Sequence, residues 1–205
     1  MKITKEQKQE KLNAIVESAI SVFVSLGYEK TTFKDIADKM GIARSTIYLY
    51  FKDKFELLKA CLNYQFNHNK DLFLKIDIDK YKNQKEALLE ILSRLEQISR
   101  QQRLKQFIVM IAAQAVHDEA IANLWEHEVL SNLKTLWQEI GNRLKLSKTS
   151  SQFYFTIIYS VFFTTNYTST CFKDQDPMMN FSVFIQLLKD QIKETNFLKV
   201  ELNDE

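Results

Sequence analysis

Between residues 44 and 54 the chain reads Arg-Ser-Thr-Ile-Tyr-Leu-Tyr-Phe-Lys-Asp-Lys, a run rich in groups that recognise a partner without making or breaking bonds. Arg44 can fork onto a guanine edge, a contact worth about 1–3 kcal/mol of discrimination, while Ser45 and Thr46 can serve base edges or phosphates alike. Tyr48 and Tyr50 stand two apart, so on a helix they point about 200° from one another and cannot both face a core. Ile47, Phe51 and Leu49 are the better core candidates, which leaves the polar groups of this run with no evident structural task. Arg44 read simply as a solvated surface charge stays open beside this.

Positioning such groups requires a rigid frame, and the preceding residues supply one. Phe33, Ile36, Ala37 and Met40 recur at helical spacing behind a threonine N-cap, Gly41 supplies a tight turn, and Arg44 to Tyr50 reads as a second short helix. That is the outline of a helix-turn-helix DNA reader, whose second helix leads into the major groove. Thr32 could offer its hydroxyl and nearby unpaired N–H groups to a phosphate, although capping alone would also explain it. An earlier helix over Lys5 to Leu26 carries Leu12, Ile15, Val16, Ala19, Ile20 and Phe23 on one face, ends at Gly27, and should pack behind the reader. Asp53, with Glu56 three residues on, looks like the capped start of a fourth helix reaching Leu74. Lys54 then sits beside the positive end of that helix, unfavourable unless an anion is near, which a phosphate would provide. Lys34 and Lys52 read as solvated charges.

The remainder bounds the fold class. With 205 residues, one Pro and three Gly, and apolar residues returning every three or four positions, an all-α protein of about nine helices is expected. Asp77 to Asn83 is polar and separates the connector helix from further helices at about 84–101, 104–116, 119–145, 150–172 and 178–196. The domain division expected is 1–52 for the DNA-binding head and 53–205 for a helical body, with helix 53–74 as connector. Residues 1–60 carry 11 Lys/Arg against 8 Asp/Glu and the rest 17 against 18, a modest positive bias that suits phosphate binding weakly.

Several classes are argued against. Cys61 and Cys171 lie far apart within apolar patterns and read as buried free thiols. His117, Asp118, Glu119, Glu126, His127 and Glu128 are metal-ligand types, but adjacent residues on a helix diverge and no HxxxH pair occurs, so no metal or other cofactor is expected. No nucleophile elbow, glycine-rich phosphate loop or paired carboxylate-histidine arrangement points to an enzyme. The polar N-terminus lacks a signal peptide's apolar run and no window is long and apolar enough to span a bilayer, so a cytoplasmic protein without membrane contact is expected.

On Gly27-Tyr28, Thr31-Thr32, Ile36-Ala37, Gly41-Ile42 and Ser45-Thr46-Ile47-Tyr48-Leu49-Tyr50-Phe51-Lys52-Asp53-Lys54, the first quarter of the chain resembles the tetracycline-repressor (TetR) family of transcription factors. The resemblance implies that Tyr48 touches base or sugar, that Tyr50 and Lys54 hold phosphates, and that the body binds a small-molecule effector. The DNA-binding set expected is Thr32, Arg44, Ser45, Thr46, Tyr48, Tyr50 and Lys54, on a double-stranded operator.

A single head covers little duplex, so such readers dimerise on two half-sites. The expected homodimer interface uses Phe153, Ile157, Val161, Phe181, Phe184, Ile185, Leu188 and Ile192, whose stripes could equally fill the protomer core. An apolar effector pocket is expected from Phe107, Met110, Gln114, His117, Trp125, Phe155, Tyr159, Phe163 and Tyr167, with core packing the plain alternative for each aromatic. Effector binding would shift the fourth helix and change the spacing of the two recognition helices; the resemblance implies that this relieves repression, and the reverse sign, a ligand needed for binding, stays open. The competing function is a helical protein-interaction adaptor that has lost DNA binding; the polar run at 44–54 argues against it.

Overall fold

The computed structural model describes residues 4–171 and 180–194, and among these every regular element is helical. In order they are α1 (Lys5–Leu26), α2 (Phe33–Met40), α3 (Arg44–Tyr48), α4 (Lys54–Leu74), a 3₁₀ turn at Ile78–Lys80, α5 (Gln84–Ser99), α6 (Gln102–Ala115), α7 (Glu119–Trp125), a π turn at Glu126–Leu130, α8 (Ser131–Arg143), α9 (Lys148–Cys171) and α10 (Phe181–Glu194). Helical residues run without a break from Glu119 to Arg143, where the sequence expects one helix over 119–145. The loop expected at Lys173 to Pro177 and the Cys171 side chain lie outside what is described. Among the described residues no helix is long and apolar enough to cross a membrane.

Helix ends follow local chemistry. Thr4 and Gln7 make a reciprocal capping box at the start of α1, and Gly27 ends it at φ 81°. Thr32 and Asp35 make another at the start of α2, and Gly41 closes it in the left-handed region at φ 64°. Asp53 caps α4 by accepting from the Glu56 N–H at 2.7 Å, while the Glu56 carboxylate accepts from the Lys52 N–H at 2.8 Å. The third helix is shorter than its sequence suggests: Tyr50 and Phe51 N–H groups both bond back to the Ile47 carbonyl, so the chain tightens into a turn after Tyr48.

Of the described residues, those within Met1–His68 and Gln106–Leu130 pack as one unit, and those within Asn69–Lys105 and Ser131–Glu205 as another. The first unit is built on Ile15, Val16, Ala19, Ile20 and Phe23 of α1, closed by Phe33, Ile36 and Ala37 of α2 and Ile47 of α3. Leu57, Leu58, Cys61 and Leu62 of α4 enter the same core, as do Phe107 and Ile111 of α6 and Ile121 and Leu124 of α7. Cys61 is wholly buried, and that burial pushes its thiol well above the usual range. The second unit packs α5 against α10 and α8 against α9. Trp137 donates its indole N–H to the Ser151 carbonyl at 2.7 Å inside the α8–α9 contact.

Candidate nucleic-acid interface

The frame of the site is the pair α2 and α3. Gly41 allows the chain to reverse: its N–H bonds back to the carbonyls of Ala37 and Asp38, and Ile42 bonds to Ala37 at 3.1 Å. No atom lies near where a Cβ would stand at Gly41, so only the positive φ demands glycine. Ile47 is fully buried and fixes the rotation of α3 about its axis. Arg44 and Ser45 consequently lie exposed, Tyr48 is half-exposed, and Thr46 and Tyr50 are half-buried.

Arg44 is held rather than loose. Its guanidinium donates to the Tyr48 hydroxyl at 2.7 Å and lies 5.3 Å from the centre of that ring. Tyr48 in turn meets the buried Phe33 edge-on, ring centres 4.8 Å apart. A core residue of α2 thus braces a tyrosine of α3, and the tyrosine orients the arginine.

Two expected phosphate ligands have protein partners. The Thr32 hydroxyl donates to Asp35 at 2.6 Å, and that bond, with one from the Thr32 backbone N–H, holds the Asp35 carboxyl below its ordinary range. Lys54 donates to the Tyr28 carbonyl at 2.7 Å and the Glu29 carbonyl at 2.9 Å, with its ammonium 4.5 Å from the Tyr28 ring centre. The cation at the positive end of α4 is therefore relieved by carbonyl oxygens and a ring face, and one of its three donors is left over. Tyr28 is itself anchored: burial first, then Asp118, Glu29 and Asp53, push its hydroxyl up to about 12. Sequence reasoning does not reach Tyr28 as a site-organising residue, because its two roles, ring platform and carbonyl acceptor for Lys54, depend on a contact 26 residues apart.

Leu49 corrects the sequence expectation. The sequence groups it with the core candidates, yet its side chain is 79% exposed. A helix of five residues has no period of its own, and Ile47 alone satisfies the core there.

The other expected sites divide between the two units. Phe107 is buried in the core of the first unit, with Met110 and Trp125 packed against that core, while Gln114 donates to Glu29 at 2.7 Å and His117 is exposed. In the second unit Phe155, Tyr159 and Phe163 form a stacked row along α9, centres 5.8 and 6.3 Å apart, and Tyr167 is exposed. Of the expected interface residues, Phe181, Ile185 and Ile192 fill the second unit's own core, whereas Ile157, Val161, Phe184 and Leu188 are half-buried and Phe153 is exposed. Val183 and Leu187 are the outward apolar residues of α10. Among the described residues no group of three or more His, Cys, Asp or Glu is arranged to hold a metal ion.

Residues 15–61 match the family profile described as "Bacterial regulatory proteins, tetR family". The HTH-type transcriptional regulator TtgR of Pseudomonas putida is 42% identical over 60 residues, 29% of this chain and 29% of that one. The chain thus spans well under two thirds of the length of the curated relatives it matches. Among solved structures, a TetR transcription regulator from Haloarcula marismortui shares the fold at TM-score 0.68 and 16% identity, covering 91% of this chain and 97% of that one. FadR from Bacillus subtilis, in complex with stearoyl-CoA, does so at TM-score 0.62 and 18% identity, covering 87% and 96%. Residues 15–61 thus carry a tetR-type helix-turn-helix matched in sequence, and the chain's helical course is matched in fold.

Proposed function

We propose that the protein is a sequence-specific DNA-binding transcriptional regulator, a homodimeric repressor of an inverted-repeat operator whose grip is released by a small molecule. The observation that carries this reading is α3 itself: behind a left-handed Gly41, Ile47 faces the core and Arg44, Ser45 and Tyr48 face outward, the side a major groove would receive. Arg44 reads a base edge, Ser45 and Thr46 serve bases or phosphates, Tyr48 orients Arg44 and touches base or sugar, and Thr32, Tyr50 and the remaining donor of Lys54 serve phosphates. The head is 1–52 by this function, with α4 as its connector to the body. Its site of action is the cytoplasm, and no catalytic role is assigned.

The effector is assigned to the body and is largely apolar, in keeping with the aromatic row of α9 and with a fold that in Bacillus subtilis FadR accommodates stearoyl-CoA. Dimerisation is assigned to α9 and α10 through Phe153 and the half-buried residues beside it, extended by Val183 and Leu187. Selection of bound duplexes from a random pool, with the oligomeric state measured in the same buffer, tests the reading. Enrichment of an inverted repeat by a dimer is expected. A folded protein that enriches nothing, with and without cell extract, would sink it.

A further inference from the structure

Leu49 is the most exposed large apolar side chain among the described residues, at 79%. Single exposed leucines are common on protein surfaces, so exposure alone carries nothing. Position does. The backbone at Leu49 is still right-handed helical, φ −69° and ψ −18°, so it continues the rotation of α3. At about 100° per residue, Ser45 and Leu49 each fall about 20° from the direction opposite the buried Ile47, with Arg44 and Tyr48 along one flank. Leu49 therefore occupies the middle of the outward face, in an i, i+4 column with Ser45.

That face is otherwise made of hydrogen-bonding groups, matched to the donors and acceptors of base edges. One apolar group stands among those edges in the major groove, the 5-methyl of thymine. We infer that Leu49 reads a thymine methyl and is a specificity-determining residue beside Arg44. Burying Leu49 against that methyl removes apolar surface of both from water, whereas a cytosine or guanine at the same step would bring a polar edge against the leucine. The inference rests on the DNA-reading function proposed above.

The test uses the full-length protein and the duplex enriched in the selection. Each thymine is replaced singly by deoxyuridine, which removes the methyl and leaves the hydrogen-bonding edge, and binding is titrated for wild type, Leu49→Ala and Leu49→Gln. One thymine per half-site should cost the wild type about fourfold in affinity on replacement, the worth of roughly one buried methyl group. Neither variant should register that replacement, and circular dichroism should show both folded, as expected for so exposed a position. Uracil substitutions that cost nothing anywhere, or that cost the wild type and both variants alike, overturn the role of Leu49 while leaving the DNA reader intact. Failure of the folded wild type to enrich any sequence overturns both.

Discussion

Tyr48 carries two jobs that a single substitution can separate. Its hydroxyl accepts from Arg44 and its ring rests on Phe33, so Tyr48→Phe keeps the brace and removes the hydrogen bond. If the hydroxyl serves to aim Arg44, this variant should lose about 0.5–1.5 kcal/mol of operator discrimination, less than the roughly 1–3 kcal/mol expected of Arg44→Ala. Binding titrations on the enriched duplex and on one with the Arg44 base pair changed would check this. A Tyr48→Phe loss that persists undiminished in the Arg44→Ala background would instead mean that the hydroxyl contacts DNA by itself. The sequence showed which residue types were available here and that Thr32 could cap α2, but not that Lys54 already has partners. Those partners are a carbonyl pair 25 and 26 residues away, beyond the reach of local sequence.

Helix contacts in the second unit hinge on small groups and a few charges. A Cβ on Gly141 of α8 would stand 2.3 Å from the Ser151 Oγ and 2.9 Å from its Cβ, and Ser151 cannot simply turn aside because its Cβ is also in the way. Gly141→Ala should therefore cost about 1–3 kcal/mol despite alanine's better helix propensity, and Ser151→Gly in the same chain should recover part of it. Urea unfolding of the three variants reads this directly; an alanine variant as stable as wild type would mean that the helices part without cost. Between α5 and α10, Glu96 takes a 2.9 Å bond from Lys189. That bond first, then Arg100, holds the Glu96 carboxyl below its ordinary value of 4.5. A depressed carboxyl contributes stability above the unfolded value and loses it as pH falls through the folded one. Stability should therefore drop as pH falls below about 4.5, and Lys189→Met should flatten that limb while lowering stability at neutral pH. An unchanged acid limb in Lys189→Met would show that Glu96 is held by other groups.

At the scale of the whole molecule, the fold class and the bounds of α1 and α2 were legible because caps and glycine stops are written locally, in Gly27, Thr32 and Gly41. What was not legible depends on tertiary contact. Nothing in the sequence announces the π turn at Glu126–Leu130, the entry of Phe107 and Ile121 into the first unit's core, or that Phe181 and Ile185 face inward while Leu187 faces out. An apolar stripe looks the same whether a protomer or its partner covers it. Charge was legible, and it limits how the molecule can hold DNA. Residues 1–60 have an excess of only three positive charges, 11 against 8; Lys34 is paired with Asp38 at 2.6 Å and Asp35 stands beside Thr32. Binding must then lean on hydroxyls, backbone N–H groups and base contacts more than on counterion release. With about three phosphates neutralised per head, a two-headed complex should show a slope of log K against log salt of roughly −5. Titrations over a range of potassium chloride concentrations on the enriched duplex measure it, and Lys54→Ala should make it shallower by about one per head. A slope near −10 would mean that many more cations reach the backbone than this head presents, and that the body or its tails contribute to the grip.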